Sequence, residues 1–244
     1  MGRDLRRVWD IEVSNYTYME VDMEKQSLLL DFLLHSYFGH TRDICSRPYE
    51  ELILICANRA YRDFCRTISY RKDSGGKVND VILIKIDFQQ RIIELIKADT
   101  QNSFDASHDS LCGEISSYQL NDILENQEHL TYGQAQKWVN MTLKYMYMIM
   151  PDKFSISGAF LHVPVDSYII KASSSNRDQS DYGLGVKPTT DEVWSKWGKC
   201  EYCKYQMALR TAIQLRYSDS NEIDCPIKWE MGAWMEQAKI ESNK

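Results

Sequence analysis

Apolar residues recur at helical spacing along several long stretches of this chain, and these stretches predict helices. In residues 49–70 one helical face is apolar, and Pro48 precedes it at a position that suits a helix start. The apolar positions of that face are Leu52, Ile53, Cys56, Ala60 and Phe64. The isoleucine-rich residues 81–97 continue a helical pattern without an internal turn signal, so we expect a single helix there. A third helix is expected near residues 117–126.

The pattern in residues 134–150 predicts a helix that is apolar on nearly every side in its second half and that ends at Pro151. A helix of that kind is buried. Lys137, Asn140 and Lys144 nevertheless form one polar stripe along it, at positions i, i+3 and i+7. Because a buried ammonium group is unfavourable on its own, each lysine is expected to have a partner or a chemical task.

Turn residues are few, with 5 prolines and 11 glycines in 244 residues, and this argues against propellers and sandwiches. The predicted fold class is therefore all-α, a multi-helix globular protein. We expect a main helical body over residues 1–172 that carries the site, and a polar loop over residues 173–193. A C-terminal helical segment over residues 194–244, with helices near 194–217 and 229–238, is expected to pack on the body.

Charge and cysteine content restrict where the protein works. The net charge of −6 argues against non-specific nucleic-acid binding over the whole surface, although a local basic patch remains compatible with it. No stretch reaches the roughly 20 apolar residues of a bilayer span, and the charges in residues 1–10 do not suit a signal peptide. Seven cysteines indicate reduced thiols instead of a disulfide framework. We therefore expect a cytoplasmic protein without a membrane partner.

A basic stripe is the first candidate site. Arg59, Arg62 and Arg66 are spaced i, i+3 and i+7 on one predicted helix face, and the only acid between Arg59 and Lys72 is Asp63. Guanidinium groups at a fixed separation can hold phosphates bidentately. The alternative is a solvated or internally ion-paired face, which is the commoner meaning of a charge run.

The second candidate combines residues 132–137 with residues 162–168. Gly133 leads into the start of a predicted helix, where free backbone N–H groups can receive a phosphate. Pro164 predicts an extended approach that places Asp166 where a new helix begins. An aspartate at that position either caps the helix or serves as the carboxylate of an active site.

Together these two segments resemble the helix-hairpin-helix DNA glycosylases, in which a hairpin with glycine grips one DNA strand and a Pro-Val-Asp segment supplies the catalytic aspartate. Here that segment reads Pro164-Val165-Asp166, and Gly133 stands where the family has two glycines flanking one residue. The resemblance covers residues 117–170 and implies a helix-hairpin-helix glycosylase-like fold. The stretches Gly-Gln-Ala-Gln-Lys-Trp and Trp-Glu-Met-Gly-Ala-Trp also resemble uncharacterised bacterial proteins.

The resemblance implies an enzyme that hydrolyses the N-glycosidic bond of a damaged or modified base, in DNA repair or phage defence. Asp166 would be its essential carboxylate. Lys137 is the candidate for the lysine that attacks the sugar in bifunctional members, but it lies two residues further from Gly133 than the family spacing, so hydrolysis without lyase chemistry is favoured. No cofactor or metal is expected, and DNA is the expected partner. The candidate DNA-binding residues are Gly133, Gln134, Gln136, Lys144, His162, Arg59, Arg62 and Arg66.

Other functions remain open. A non-enzymatic helical module could bind nucleic acid or a protein partner through the three-arginine face, with Asp166 serving only as an N-cap. His108 and Cys112, at i and i+4, could pair as base and nucleophile, although a core histidine and a buried thiol explain the same spacing. Cys200 and Cys203 have the spacing that begins many zinc sites but lack two further ligands, so two small buried helical residues are expected.

Overall fold

The computed structural model describes residues 26–154, 157–176, 178, 180–218, 223 and 225–243. Within these residues the regular secondary structure is helical apart from one isolated antiparallel bridge between Tyr70 and Leu124. This confirms the all-α prediction. No helix in the described part of the chain is both long and apolar enough to cross a bilayer.

The chain divides after Pro48 into two units. The described part of the first unit contains helix α1 over residues 26–38 and a short 3-10 helix, Arg42–Ser46. The Arg42 side chain and backbone N–H both donate to Asp31 Oδ1 at 2.9 Å, which ties the two helices together.

The second unit, from Tyr49 onward, carries the candidate site. Its helices are α2 (Tyr49–Phe64), α3 (Val78–Lys85), α4 (Phe88–Ile96), α5 (Gln101–Ser117), α6 (Tyr132–Ile149), α7 (Ser167–Ser174), α8 (Lys199–Tyr217) and α9 (Pro226–Ser242). Helix α6 is the central element, because every side chain from Tyr132 to Leu143 is buried. It packs against α2, α5 and α8, so the polar side chains on α6 must find partners within the protein.

Helix α6 confirms the helix predicted over residues 134–150. A capping box at Thr131 starts it: the Thr131 hydroxyl accepts from the Gln134 N–H, and the Gln134 side chain accepts from the Thr131 N–H, each at 3.0 Å. Pro151 follows its last turn, as predicted. The apolar face packs on α2 through Trp138, whose indole N–H donates to the Ala57 carbonyl at 2.9 Å. The Trp138 ring also stacks on the Phe88 ring, with centroids 5.3 Å apart.

The single helix predicted over residues 81–97 is wrong. The stretch forms two helices, α3 and α4, which are separated at Asp87. Asp87 has φ 48° and ψ 46°, the left-handed conformation that ends a right-handed helix and that aspartate tolerates better than most residues. The isoleucines on both sides preserve an apolar pattern across the break, and this hides it in the sequence.

The helix predicted near residues 117–126 is also wrong. The preceding residues instead form α5, which begins at a capping box between Thr100 and Ser103. After α5 the chain is non-helical, because its backbone pairs with residues after α2: the Arg71 N–H donates to the Ile123 carbonyl, and the Glu125 N–H donates to the Ser69 carbonyl, both at 2.9 Å. Pairing between distant segments leaves no local periodic signal.

The C-terminal helices begin and end close to the predicted positions. The described residues between α7 and Val193 contain no helix, in agreement with the polar loop. A 3-10 helix, Trp194–Lys196, precedes α8, where the sequence predicted one continuous helix from residue 194. Helix α9 extends the predicted 229–238 helix at both ends, with Pro226 in its first turn.

Candidate functional site

Lys137 and Asp166 form a largely buried ion pair in the second unit. Lys137 lies on α6 and Asp166 immediately precedes α7, and 29 residues separate them in sequence. Lys137 Nζ is 2.8 Å from Asp166 Oδ2, and the two side chains are 5% and 14% exposed. The structure therefore brings together the two residues that the sequence analysis placed at the catalytic centre.

The Asp166 carboxylate also caps α7. Its Oδ1 atom accepts from the Tyr168 N–H at 2.9 Å and from the Ile169 N–H at 3.0 Å, which confirms the predicted N-cap. Burial alone would raise the pKa of Asp166, but the charge and hydrogen bond of Lys137 and the two backbone amides outweigh it and lower the pKa. Asp166 is therefore an ionised carboxylate held in a fixed orientation.

Two amide side chains hold the extended segment that leads into Asp166. Gln136 on α6 pairs with both backbone groups of Val165, donating to the carbonyl at 3.3 Å and accepting from the N–H at 3.4 Å. Gln206 on α8 does the same for Val163. The backbone N–H and C=O groups of this buried extended segment are not paired with a neighbouring strand, so the Gln136 and Gln206 amides provide their hydrogen-bond partners.

Lys144, predicted to bind DNA, forms a second buried ion pair instead. Its Nζ lies 2.5 Å from Glu230 Oε2 on α9, and the two side chains are 12% and 1% exposed. Burial raises the pKa of Glu230, although the charges of Lys144 and Lys137 oppose that rise. Both lysines of the α6 stripe thus have the partners that their burial requires.

The third stripe residue, Asn140, belongs to a buried hydrogen-bond chain. His108 Nε2 and Asn140 Oδ1 are 2.8 Å apart, and Asn140 Nδ2 donates to the Tyr202 hydroxyl at 2.8 Å. The Tyr202 hydroxyl lies 2.8 Å from His162 Nδ1, and His162 Nε2 lies 2.7 Å from Asp105 Oδ1. Because an amide oxygen and a carboxylate only accept, the chain is consistent with both imidazoles being neutral, each donating through Nε2.

Arg210 is the last member of this hydrogen-bond network and lies next to Asp105. Its guanidinium donates to both carboxylate oxygens of Asp105, each at 3.0 Å. Although burial acts to raise the pKa of Asp105, the hydrogen bonds from His162 and Arg210 lower it well below its usual range. Burial lowers the pKa of both His108 and His162. A cavity of about 90 Å³ adjoins this network, with Asp105, His162 and Arg210 in its wall.

The neutral histidines predict acid sensitivity. A histidine with a lowered pKa stays neutral in the folded state while the unfolded chain takes up a proton below about pH 6.5, so stability falls as the pH falls. Between pH 7.5 and 5.5 we expect the wild-type protein to lose about 1 kcal/mol more unfolding free energy than His108→Gln. Urea unfolding at the two pH values measures the difference, and parallel pH dependences would contradict the assignment of a neutral, buried His108.

The predicted phosphate site at the start of α6 is wrong, because another part of the chain covers it. The Gly133 N–H donates to the Trp197 carbonyl at 2.9 Å, and the Thr131 hydroxyl donates to the Ser195 carbonyl at 2.6 Å. A Cβ atom at Gly133 would lie 2.0 Å from the Trp194 carbonyl oxygen. Gly133 is therefore required for the close approach of residues 194–197.

Gln134 and Gln136, also predicted to contact DNA, are buried and bound to the protein itself. Besides its capping contact, the Gln134 amide donates to the Thr67 carbonyl at 3.0 Å. The Gln136 amide donates to the Gly133 carbonyl at 2.9 Å. His162 faces Asp105 and Tyr202 and does not contact Asp166 through any of these hydrogen bonds. All three side chains are thus bound to other groups of the protein, and only Gln136 contacts the segment that leads into Asp166.

The three arginines do not form the predicted helix face. Arg59 donates to Asp63 at 2.9 Å, and its guanidinium carbon lies 5.8 Å from the centre of the Tyr145 ring. Arg62 is exposed on the last turns of α2, whereas Arg66 lies beyond α2 in the 3-10 helix Cys65–Thr67. The stripe is thus divided into one internally paired arginine and two exposed ones.

The cysteine candidates carry no activated thiol or metal site. Cys112 Sγ lies 3.7 and 3.8 Å from the His108 ring nitrogens, but burial raises the pKa of that thiol and lowers the pKa of that imidazole, so both stay neutral. Cys200 is exposed and Cys203 partly exposed on α8, so the helical position of the pair was predicted correctly but its burial was not. Among the described residues, no group of three or more His, Cys, Asp or Glu side chains is placed to hold a metal ion.

Four participants in these networks were missed by the sequence analysis: Asp105, Tyr202, Arg210 and Glu230. Asp105 and His108 have helical i, i+3 spacing, which could have indicated a shared face of α5. The other three lie on the C-terminal helices α8 and α9, and no local pattern connects them with α5 or α6.

An aromatic pair borders the Asp166 end of α7. The Tyr168 ring contacts the Trp234 ring of α9, with centroids 5.5 Å apart, and Trp234 is 40% exposed. Lys171 Nζ lies 6.0 Å from the centre of the Tyr168 ring. The first turn of α7 thus carries a partly exposed aromatic surface with Lys171 beside it. The function of the chain has to be inferred from these side chains, because comparison with protein-family models, with curated proteins and with solved structures gave no match.

Proposed function

We propose that this protein is a DNA glycosylase that hydrolyses the N-glycosidic bond of a damaged or modified base, with Asp166 as its catalytic carboxylate. The observation that carries the proposal is the 2.8 Å contact between Lys137 Nζ and Asp166 Oδ2 at the start of α7. Base departure from a nucleoside leaves positive charge on the sugar, and an ionised carboxylate in a poorly solvated place stabilises such charge effectively.

The proposed reaction needs only water as its second reactant. The bond between the anomeric carbon and the base nitrogen breaks, a water oxygen bonds to the anomeric carbon, and the proton released from water balances the departing base. Asp166 stabilises the positively charged sugar while this happens. Its two amide contacts occupy Oδ1, so Oδ2, which also accepts from Lys137 Nζ, is the oxygen proposed to interact with the substrate.

Lys137 favours hydrolysis over lyase chemistry. An ammonium group held by a carboxylate at 2.8 Å must lose its proton before its nitrogen can attack a sugar carbon. Lys137 therefore acts as a positioning residue that keeps Asp166 ionised. The expected corollary is that borohydride, which traps lysine–sugar adducts, captures no covalent complex with DNA.

The aromatic pair Tyr168 and Trp234 is the proposed contact for the extruded nucleotide or its neighbours. Enzymes that act on a base within DNA take it out of the stack, and aromatic faces replace the lost stacking. By contrast, the non-enzymatic alternative depends on a continuous three-arginine face. The pairing of Arg59 with Asp63 removes one of the three, so the geometry favours the enzyme.

The test is base release from a panel of oligonucleotides that carry uracil, hypoxanthine, 8-oxoguanine or alkylated adenine, with the free base detected by mass spectrometry. Asp166→Asn should lower the rate on the accepted base by about 100-fold or more, because the charge is lost while the amide oxygen can still cap α7. The matched control is Asp122→Asn, which neutralises an exposed carboxylate on the loop before α6.

Asp122→Asn should keep wild-type activity. Thermal unfolding should show that Asp166→Asn still folds, with a lower melting temperature because the buried Lys137 loses its counter-charge. Release at an undiminished rate by a folded Asp166→Asn protein would refute the catalytic role of this carboxylate. Absence of release from every oligonucleotide by the wild-type protein would refute the proposed activity.

A further inference from the structure

A large cavity lies on the second unit between α2, α3 and the polar loop that joins them. Its volume is about 950 Å³, at the upper end of the range of small-ligand sites. The wall residues used below are Asn58, Tyr61 and Arg62 from α2, Gly75, Gly76 and Lys77 from the loop, and Asn79 and Asp80 from α3. None of them belongs to the Lys137–Asp166 site.

Three wall residues, Tyr61, Tyr70 and Asn79, carry buried polar atoms that have no hydrogen-bond partner among the described residues, and Tyr61 and Asn79 are the most deeply buried of the three. Tyr61 is 7% exposed and its hydroxyl is unpartnered; Asn79 is 8% exposed and its Oδ1 atom is unpartnered. The Asn79 Nδ2 atom already donates to Asn58 Oδ1 at 2.8 Å, which fixes the amide orientation. Since buried polar groups are nearly always satisfied, these two atoms indicate a missing partner that accepts from Tyr61 and donates to Asn79.

The rest of the wall favours an anion. Arg62 and Lys77 are exposed at the cavity, and Asp80 is the one carboxylate among its wall residues, within a chain of net charge −6. A Cβ atom at Gly75 or Gly76 would meet nothing within 4 Å, so the loop leaves its backbone open to a ligand. Guanidinium and ammonium groups beside open backbone are suited to phosphate oxygens.

We propose that this cavity binds a mononucleotide. The phosphate lies against Arg62 and Lys77, and the base enters the buried end, where a ring N–H or amino group donates to Asn79 Oδ1 and a ring nitrogen or carbonyl accepts from the Tyr61 hydroxyl. The chemistry of the wall requires one ligand with both an anionic group and a paired donor and acceptor. This proposal is independent of the glycosylase activity, since the cavity wall includes neither Lys137 nor Asp166.

Two variants separate the proposed site from general charge effects. Arg62→Gln removes a cavity cation, whereas Arg66→Gln removes an exposed arginine that does not belong to the cavity wall. Tyr61→Phe removes only the unpartnered hydroxyl, so the free protein should fold and melt at the same temperature or slightly higher.

Calorimetric titration of the full chain with AMP, GMP and inorganic phosphate, at low salt, provides the readout. At least one nucleotide should bind at a single site and more tightly than phosphate. Arg62→Gln and Tyr61→Phe should each weaken its affinity by about tenfold, while Arg66→Gln stays within about twofold of wild type.

Three outcomes would overturn the proposal. These are no binding of either nucleotide, phosphate binding as tightly as the nucleotides, and equal weakening by Arg62→Gln and Arg66→Gln. Base release by Tyr61→Phe should equal that of the wild-type protein, which keeps the test separate from that of the glycosylase.

Discussion

Lys144→Met is expected to lower the free energy of unfolding by about 3–5 kcal/mol. Glu230 has no exposed surface, and Lys144 is the cation 2.5 Å from it. Methionine fills the same space but removes the cation that contacts the carboxylate, in a region where burial already raises the pKa of Glu230. Urea unfolding followed by circular dichroism at pH 7.5 measures the loss.

Lys171→Met is the matched control, because it removes the lysine of an exposed pair with Glu241, in which the lysine side chain is 52% exposed. That change should alter stability by at most about 1 kcal/mol. Similar losses in the two variants would contradict a buried-charge role for Lys144.

The pH dependence of Lys144→Met provides a second check. A carboxyl whose folded pKa is raised binds more protons in the folded state than in the unfolded one, so its contribution to stability is lost as the pH rises through the folded pKa. Without Lys144 the pKa of Glu230 should rise further. The destabilisation should therefore be smaller at pH 5 than at pH 8.

Gly133→Ala is expected to destabilise the protein by about 3 kcal/mol or more. The added Cβ would lie 2.0 Å from the Trp194 carbonyl oxygen and 3.3 Å from the Trp197 nitrogen, both of them backbone atoms. Residues 194–197 would have to move away, which breaks the hydrogen bond from the Gly133 N–H to the Trp197 carbonyl. Chemical unfolding measures this loss.

Gly113→Ala supplies the control for the same chemical change. Gly113 lies within α5, and a Cβ there meets nothing within 4 Å. Alanine at that position should stabilise the helix by about 0.5–1 kcal/mol, because it loses less backbone entropy on folding than glycine does. A Gly133→Ala protein as stable as wild type would show that the chain does not pass this close to α6.

The central helix shows what could be predicted from the sequence. The apolar pattern of residues 134–150 and Pro151 define α6 within two residues, and the i, i+3, i+7 stripe correctly indicated lysines that need partners. The identity of Glu230 as one partner could not be predicted, because it depends on how α9 packs against α6, and periodicity within one helix contains no information about its neighbour. The same reason explains why Tyr202 and Arg210 were missed.

Two of the wrong predictions are the single helix over residues 81–97 and the phosphate site at Gly133. The first failed because of the backbone conformation of one residue, and the second because another segment of the chain lies against the glycine. The left-handed conformation of Asp87 divides a stretch whose composition is helical throughout. Gly133 was interpreted as a hairpin glycine that could bind phosphate. In the structure its N–H donates to the Trp197 carbonyl, and the missing side chain allows that segment to come close. A glycine signals that a side chain is not tolerated, and only the tertiary structure identifies what approaches it. Asp166 was placed correctly because proline and an N-cap leave a local signal.

Residues 194–197 cover the start of α6, and this contact also affects the order in which the protein can fold during synthesis. The Thr131 hydroxyl donates to the carbonyl of Ser195, which lies 64 positions later in the chain. A nascent chain that has left the ribosome only as far as the polar loop would have α6 complete, yet the carbonyls that meet Thr131 and Gly133, and the carboxylate that meets Lys144, would not yet exist. These contacts of the central helix must therefore wait for residues 194–197 and for α9, so we expect the second unit to reach its native state only after α9 has left the ribosome.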